Sequence, residues 1–258
     1  MRTAAPYPGT QAIRRAFALL RAFTDGEPER GLAALARSTG LNKTTAYRLL
    51  AALEHEGMVA RRIGAEEYRL GPESIALGAR AQRANDLRTA ARPFLQRLAA
   101  DTGETATLEI LRGDRVLCVD EVQARHVVGT TPSVGLSWPA HATSTGKVLL
   151  AALPEAERKH RLKAPLERFT PRTIATLTAL RAELERTQQR GYGLVQSELE
   201  VAYVALGAPI RDAGGRVVAA VSVGGPEVRL PPSAYPLLAG KVREAADGIS
   251  RQLGHSAA

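Results

Sequence analysis

The fold of the N-terminal region is decided by residues 32–50, which read LAALARSTGLNKTTAYRLL. Two short helical patterns meet there at Gly40, and glycine tolerates the positive φ that a tight turn between helices requires. Ala36 is small enough to let the two helices touch. The apolar residues that would hold the second helix against the first are Leu41, Ala46 and Leu49. This spacing predicts a helix-turn-helix.

The start of the second helix carries polar and basic side chains. Asn42 is expected to cap the helix, because its side-chain oxygen can accept a hydrogen bond from a free backbone N–H. Hydroxyl and amide groups at a helix N-terminus suit phosphates, whereas arginine and asparagine suit base edges. The candidate DNA-binding residues of this helix are Asn42, Lys43, Thr44, Thr45, Tyr47 and Arg48. An ordinary helical hairpin with solvated charges is the alternative that the same residues leave open.

The flanking residues extend this motif to a winged helix-turn-helix. Residues 11–23 place apolar side chains at helical spacing, which predicts a first helix. Residues 58–62 and 67–70 have the pattern of two short strands, and residues 64–66 between them predict a hairpin turn. The wing arginines that could contact the DNA backbone are Arg61 and Arg62.

The composition limits the classes of protein to which the chain can belong. Its 258 residues carry a formal net charge of +9, and a basic protein is drawn to polyanions, of which nucleic acid is the commonest. The single cysteine, Cys118, excludes an internal disulfide and argues against a cysteine-based zinc site; a buried structural thiol is expected. We expect a cytoplasmic protein, because there is no signal-peptide core and no apolar run of the ~20 residues that a membrane helix needs.

The hydrophobic pattern divides the chain into successive segments. We predict a disordered tail at 1–10, a winged helix-turn-helix DNA-binding domain at 11–70, a linker helix at 71–87 and a second domain at 88–254. In that second domain, strands are predicted at 105–111, 115–122, 126–131, 201–211 and 216–224, and helices at 87–101, 143–153, 177–190 and 233–253. This mixed order predicts an α+β domain.

Several short motifs occur in an order and spacing that together are specific. They are RAFALL at 15–20, TGLNKTTAYRLL at 39–50, YRLG at 68–71, LG at 77–78, TGET at 102–105, HATSTGK at 141–147, GAPIRD at 207–212 and VSVGGP at 221–226. With these motifs the chain resembles the IclR family of bacterial transcriptional regulators over about residues 11–254. The resemblance implies a winged helix-turn-helix, a linker helix, a GAF-like effector-binding domain with a mainly antiparallel sheet flanked by helices, and assembly into dimers or dimers of dimers.

The resemblance also implies an effector pocket in the second domain. Its candidate residues are Trp138, Ser144, Thr145, Tyr203, Ala205, Ser222 and Gly224. Two positions depart from the family pattern: Val195 stands where a well-known member has an acidic residue, and Gly224 lacks a hydroxyl. Trp138 and Tyr203 would form an apolar wall, although a core or interface role for these aromatics stays open. We expect a small organic acid or aromatic metabolite, with a flat carboxylate favoured over a nucleotide.

Motifs of enzymes are incomplete in this sequence. The TSTGK run at 143–147 resembles a phosphate-binding loop, but His141 and Val148 stand where that motif needs glycine and Ser/Thr. A metal site that joins His141 and His126 to Glu109 or Asp120 stays an alternative. We therefore expect no cofactor and no enzyme activity.

The expected partners are double-stranded DNA with a palindromic or pseudo-palindromic promoter site, a small-molecule effector and a second copy of the chain, but no membrane. The alternative function is a small-molecule-binding GAF-like sensor or enzyme whose helix-turn-helix serves protein contacts.

Overall fold

The computed structural model of the chain describes residues 10–24, 27–62, 67–83, 86–123 and 133–256. The chain divides into two compact units, Met1–Ala84 and Asn85–Ala258, each with its own hydrophobic core. The division falls inside the segment predicted as a linker, residues 71–87. The predicted tail (apart from Thr10), the turn at 64–66 and the strand at 126–131 lie outside the described residues.

The first unit combines helices with a small antiparallel sheet of strand order β1-β3-β2. In chain order its elements are α1 (Gln11–Arg21), β1 (Arg30–Gly31), α2 (Leu32–Thr39), α3 (Lys43–His55), β2 (Val59–Arg61), β3 (Glu67–Leu70) and α4 (Pro72–Arg83). The predicted helix-turn-helix corresponds to α2 and α3, and the predicted wing strands correspond to β2 and β3. The sequence pattern does not predict β1, because two residues are too few to show alternation.

The turn between α2 and α3 has the geometry that the sequence predicts. Gly40 adopts a left-handed φ of 67° at the end of α2. The Asn42 side chain accepts a hydrogen bond from the backbone N–H of Thr45 over 2.8 Å and so caps α3. Ala36 and Ala46 are buried in the core that α2 and α3 share. The partly buried residues at the edge of this core include Leu41 and Leu49.

The second unit is built on one antiparallel sheet of strand order β6-β5-β4-β9-β8-β7. Its elements are α5 (Asp86–Thr102), β4 (Thr105–Arg112), β5 (Arg115–Val122), β6 (Ser137–Pro139), α6 (Ser144–Ala151), α7 (Glu155–Arg161), α8 (Leu177–Arg190), β7 (Gly193–Gln196), β8 (Tyr203–Arg211), β9 (Val217–Pro226) and α9 (Tyr235–Gln252). Helices pack on both faces of this sheet. This architecture confirms the predicted α+β class.

Alternate residues of each strand serve different faces of the sheet, because the side chains of a strand alternate with period 2. On β9, Val221 and Val223 belong to the core that the sheet forms with α5 and α9. Ala220 belongs to the core that it forms with α6 and α8. Ser222 has the same parity as Ala220 and therefore lies on the face covered by α6.

Three short elements of the second unit are absent from the sequence prediction. β6 and β7 have three and four residues, which is too few for a clear alternation of apolar and polar side chains. α7 has no buried residue, so no apolar stripe marks it as a helix.

Several predicted boundaries differ from the observed ones by one or two residues, and two of the differences have a local cause. The helix predicted over 143–153 spans Ser144–Ala151, because Thr143 acts as its N-cap and accepts a hydrogen bond from Gly146 N. The strand predicted over 201–211 begins at Tyr203, because Ala202 has a positive φ of 60° that a strand does not allow.

Candidate functional site

The first candidate site is the start of α3, which presents a polar surface. Among the candidate residues of this helix and its cap, Thr45 is half-buried and the other five are exposed: Asn42, Lys43, Thr44, Tyr47 and Arg48. The oxygen of the Asn42 side chain is engaged as the helix cap, which leaves its amide N–H groups to donate elsewhere. The helix therefore offers hydrogen-bond donors and a positive end to an anion.

The two wing arginines are exposed, and each already has an acidic partner. Arg61 Nε lies 3.1 Å from Glu54 Oε2, and its guanidinium lies 5.1 Å from the ring centre of Tyr68. Arg62 Nη1 lies 3.2 Å from Glu29 Oε2. Since exposed ion pairs contribute only about 0–1 kcal/mol, either arginine can exchange its carboxylate for a phosphate at little cost.

A residue that the sequence prediction missed lies beside α3. Arg15 of α1 lines a surface groove together with Thr45 and Arg48. The sequence offers no signal for this neighbour, because only the packing of α1 on α3 brings the two arginines to one groove. Arg15 is therefore a further candidate for contact with the DNA backbone.

The second candidate site is a cavity of about 540 Å³ in the second unit, which we call the effector cavity. All seven residues predicted for the effector pocket line it: Trp138, Ser144, Thr145, Tyr203, Ala205, Ser222 and Gly224. The size falls within the ~300–1,000 Å³ of pockets that hold small organic molecules. The cavity lies between the sheet and the N-terminal end of α6.

α6 packs closely on the sheet beside the effector cavity. A Cβ atom at Gly193 of β7 would lie 2.1 Å from the carbonyl oxygen of Ser144, so only glycine fits there. At Gly224 a Cβ would lie 2.4 Å from the Tyr203 hydroxyl, so a larger residue there would have to displace the Tyr203 ring. The missing hydroxyl at position 224 therefore has a packing reason: it lets the Tyr203 ring lie against β9.

Glu109 of β4 lies at the centre of a network of hydroxyl groups in the effector cavity. Thr145 donates a hydrogen bond to Glu109 Oε2, and Thr107 donates one to Oε1 over 3.2 Å. The hydroxyls of Thr107 and Ser222 lie 2.7 Å apart. Glu109 is 6% exposed, and burial raises the pKa of its carboxyl although the two threonines oppose this. The sequence identified Glu109 only as a possible metal ligand.

A buried ion cluster joins another wall residue, Glu198, to α6 and α8. Lys147 Nζ lies 2.5 Å from Glu198 Oε1 and 3.6 Å from Glu183 Oε1. Burial raises the pKa of Glu198 against the opposing effect of Lys147. Burial also acts to raise the pKa of Glu183, but Lys147 and two arginines outweigh it and lower that pKa. The lysine that makes residues 143–147 resemble a phosphate-binding loop is thus buried and pairs with glutamates.

The remaining charged pair of the cavity wall joins Glu104 and Arg229. Arg229 donates two hydrogen bonds to the carboxylate of Glu104, over 2.5 and 2.7 Å. Such a two-bond pair of arginine and carboxylate is among the stronger polar contacts in proteins. Arg229 is the only basic residue among the described residues that line the cavity.

The described residues do not form the metal site that the sequence left open. His141 is buried, and its Nε2 lies 2.9 Å from the carbonyl oxygen of Glu167, while His126 lies outside the described ranges. No group of three or more His, Cys, Asp or Glu in the described part of the chain could hold a metal ion. Cys118 is buried, as predicted. In the same ranges, no helix combines the length and apolarity needed to cross a membrane.

Comparison with known families gives two matches that together cover most of the chain. Residues 12–62 match the model described as IclR helix-turn-helix domain, and residues 79–251 match the model described as bacterial transcriptional regulator IclR C-terminal. A curated relative, the glycerol operon regulatory protein of Streptomyces griseus, is 35% identical over 246 residues, which are 95% of this chain and 96% of the relative.

Solved structures of similar proteins match nearly the full length of the chain. A putative IclR transcriptional regulator from Silicibacter sp. TM1040 has a TM-score of 0.84 at 29% identity, with 96% of this chain and 98% of that chain covered. An IclR homologue from Microbacterium hydrocarbonoxydans, in complex with 4-hydroxybenzoate, has a TM-score of 0.78 at 28% identity, with coverage of 94% and 98%.

Proposed function

Since the chain belongs to the IclR family of bacterial, ligand-responsive transcriptional regulators, we propose that α3 reads its operator and that the effector cavity senses its ligand. The residues proposed to contact DNA are Asn42, Lys43, Thr44, Thr45, Tyr47 and Arg48 of α3, with Arg61, Arg62 and Arg15 on the DNA backbone. The observation that carries this proposal is the exposed polar and basic start of α3 on a capped, well-packed helix.

The effector is proposed to be a small organic acid or aromatic metabolite. Trp138 and Tyr203 supply aromatic faces to the cavity, and Ser144, Thr145 and Ser222 supply hydroxyl groups. The 4-hydroxybenzoate bound to the Microbacterium homologue is a molecule of this class. The regulator would have two arrangements, one of which binds DNA better. The effector would change transcription because its affinity for these two arrangements differs.

The operator is proposed to be a palindrome or pseudo-palindrome read by a homodimer or a dimer of dimers. A single recognition helix contacts few base pairs, so two copies related by symmetry give the specificity that one lacks. Ile75 and Leu77 of α4 are 72% and 55% exposed and offer apolar surface to a second copy. We further propose that the regulator acts in the cytoplasm by binding and not by catalysis.

Selection of DNA by the full-length protein tests this function. The protein is incubated with a library of random duplexes, and the bound fraction is sequenced after several rounds. We expect an enriched inverted repeat, and we expect its enrichment to disappear with the Lys43→Ala/Arg48→Ala variant. A bound pool without any enriched sequence would contradict the proposal and favour a helix-turn-helix that contacts protein.

A further inference from the structure

The effector cavity is strongly acidic. Its charged lining residues in the described part of the chain are Glu104, Glu109, Glu121, Glu198, Glu200 and Arg229. This excess of carboxylates is unexpected in a site for which the sequence favours a flat carboxylate as ligand. What each carboxylate contacts therefore decides which ligand chemistry the cavity accepts.

Two of the buried glutamates have basic partners. Glu104 is neutralised by Arg229 through two hydrogen bonds. Glu198 uses Oε1 for Lys147, but its Oε2 is buried without a hydrogen-bond partner among the described residues. Glu198 is 8% exposed, so bulk water does not supply that missing partner. An unmet buried acceptor of this kind is unfavourable.

Glu109 has no basic partner at all in the described part of the chain. The hydroxyls of Thr145 and Thr107 donate hydrogen bonds to its two carboxyl oxygens, and the charge of Glu121 repels it. Since these contacts supply no positive charge, the negative charge of an ionised Glu109 is left for a ligand to compensate.

The direction of selectivity follows from elementary electrostatics. Beside the ionised form of Glu109, a ligand carboxylate would put two like charges into a buried space, which is unfavourable. A hydroxyl group would add a hydrogen bond to the carboxyl, and an ammonium group would add a charge-assisted one. Trp138 and Tyr203 line the same cavity, and an aromatic ring attracts a cation that lies over its face.

We propose that the effector presents a hydrogen-bond donor, a hydroxyl or an ammonium group, to Glu109 and that the cavity rejects a carboxylate at this position. This inference rests on the proposed function, in which the cavity binds the effector. It narrows the proposed class to aromatic metabolites with a donor group and to acids whose donor end, and not their carboxylate, faces Glu109.

A matched series of probes tests this selectivity. 2-Phenylethylamine, 2-phenylethanol and phenylacetate each carry one ring and a chain of two carbon atoms, and they place an ammonium, a hydroxyl and a carboxylate, respectively, at its end. Their binding to the full-length protein is measured by isothermal titration calorimetry. We expect the amine and the alcohol to bind at least about tenfold more tightly than the carboxylate, the factor that one charge-assisted hydrogen bond supplies.

The variant Glu109→Gln removes the charge and keeps the shape of the side chain. We expect it to weaken 2-phenylethylamine and strengthen phenylacetate, so that the tenfold preference is lost. Glu185→Gln is the matched control, because Glu185 is exposed on α8 and does not line the cavity. It should leave all three affinities unchanged. Circular dichroism checks that both variants are folded.

Three results would overturn the inference: equal or tighter binding of phenylacetate, no heat of binding with the amine and the alcohol, or an unchanged preference in Glu109→Gln. The variant Ser222→Leu, which fills the cavity, separates this failure from that of the proposed function. If phenylacetate binds tightly and Ser222→Leu abolishes its binding, the cavity is still the effector site, and only the inferred preference for a hydrogen-bond donor at Glu109 is wrong. If Ser222→Leu has no effect on any probe, the proposed effector site itself is wrong.

Discussion

At the scale of single residues, Asn42 and Arg48 at the start of α3 differ in what their substitution would change. Asn42 Oδ1 caps the helix, so its truncation would cost stability as well as DNA contacts. Arg48 is exposed and lines the groove beside α3, where its loss leaves the core of the unit intact. Substitution of Arg48 therefore tests DNA binding without removing a helix cap.

We expect Arg48→Ala to weaken operator binding by about 1–3 kcal/mol, as truncation of a base contact does, without loss of folding. A gel shift with the selected duplex measures the change. Arg97→Ala is the control, because it removes the same charge from an exposed position on α5. Equal binding by Arg48→Ala and wild type would show that α3 is wrongly assigned as the recognition helix.

Glu109 makes the stability of the second unit depend on pH. Because its pKa is raised in the folded state, its carboxyl favours folding below the pKa of the unfolded chain, and this contribution is lost as pH rises through the folded pKa. Burial and the charge of Glu109 raise the pKa values of Cys118 and Tyr203, so both groups stay protonated between acid and neutral pH. Glu121 is the further acidic group that acts on it.

The variant Glu109→Gln tests this dependence. We expect its free energy of unfolding, relative to wild type, to increase steadily as pH rises from acid to neutral, because the amide has no proton to lose. Urea unfolding followed by tryptophan fluorescence is a suitable measurement, since the only tryptophan, Trp138, belongs to the second unit. A difference that stays constant across this pH range would contradict the assignment.

The sequence predicts some residues of the sites and not others. The candidate residues of α3 are predicted by a local motif, and the seven pocket residues are implied by the family resemblance. Glu109 and Glu198 could not be identified as pocket residues, because a charged side chain in a strand or loop usually faces solvent. Only the packing of α6 against the sheet encloses them.

At the scale of elements, two glycines differ in how closely they are packed, and one of them contacts α6. Gly193 contacts the backbone of Ser144 so closely that a Cβ has no room, whereas nothing lies within 4 Å of a Cβ at Gly240 of α9. The first glycine is required by packing. The second only weakens its helix, because glycine is a poor helix former.

These two sites give a matched pair of substitutions. We expect Gly193→Ala to destabilise the second unit by about 1–3 kcal/mol through the clash with Ser144. We expect Gly240→Ala to stabilise it by about 0.5–1 kcal/mol. Chemical unfolding followed by Trp138 fluorescence reports both. Two changes of the same sign would refute the packing argument.

Elements with a strong local signal were predicted well. α8 spans Leu177–Arg190 as predicted, because Thr176 caps its start and Gly191 ends it with a φ of 75°. β6 was missed because its formation depends on a partner distant in sequence: it exists only as the edge strand beside β5. Local sequence does not encode such pairings.

At the scale of the whole molecule, the proposed dimer can be tested through α4. This helix has no buried residue in its own unit, and Ile75 and Leu77 are exposed on it. We expect light scattering at micromolar concentration to give a dimer or a dimer of dimers, and Ile75→Glu/Leu77→Glu to shift the mass downwards. Gln82→Glu, which adds a charge at an exposed position of α4, is the control. A monomeric wild-type protein would exclude the proposed symmetry.

The central claim is that α3 reads a specific duplex. The most direct test is a fluorescence anisotropy titration of the selected duplex and of a scrambled one, at several salt concentrations, with wild type and Lys43→Ala/Arg48→Ala. We predict tighter binding of the selected duplex, an affinity that falls linearly on a log–log plot against salt with a slope of about −0.9 for each phosphate contact, and loss of the preference in the variant. Equal affinity for both duplexes, or binding that salt does not weaken, would contradict the claim.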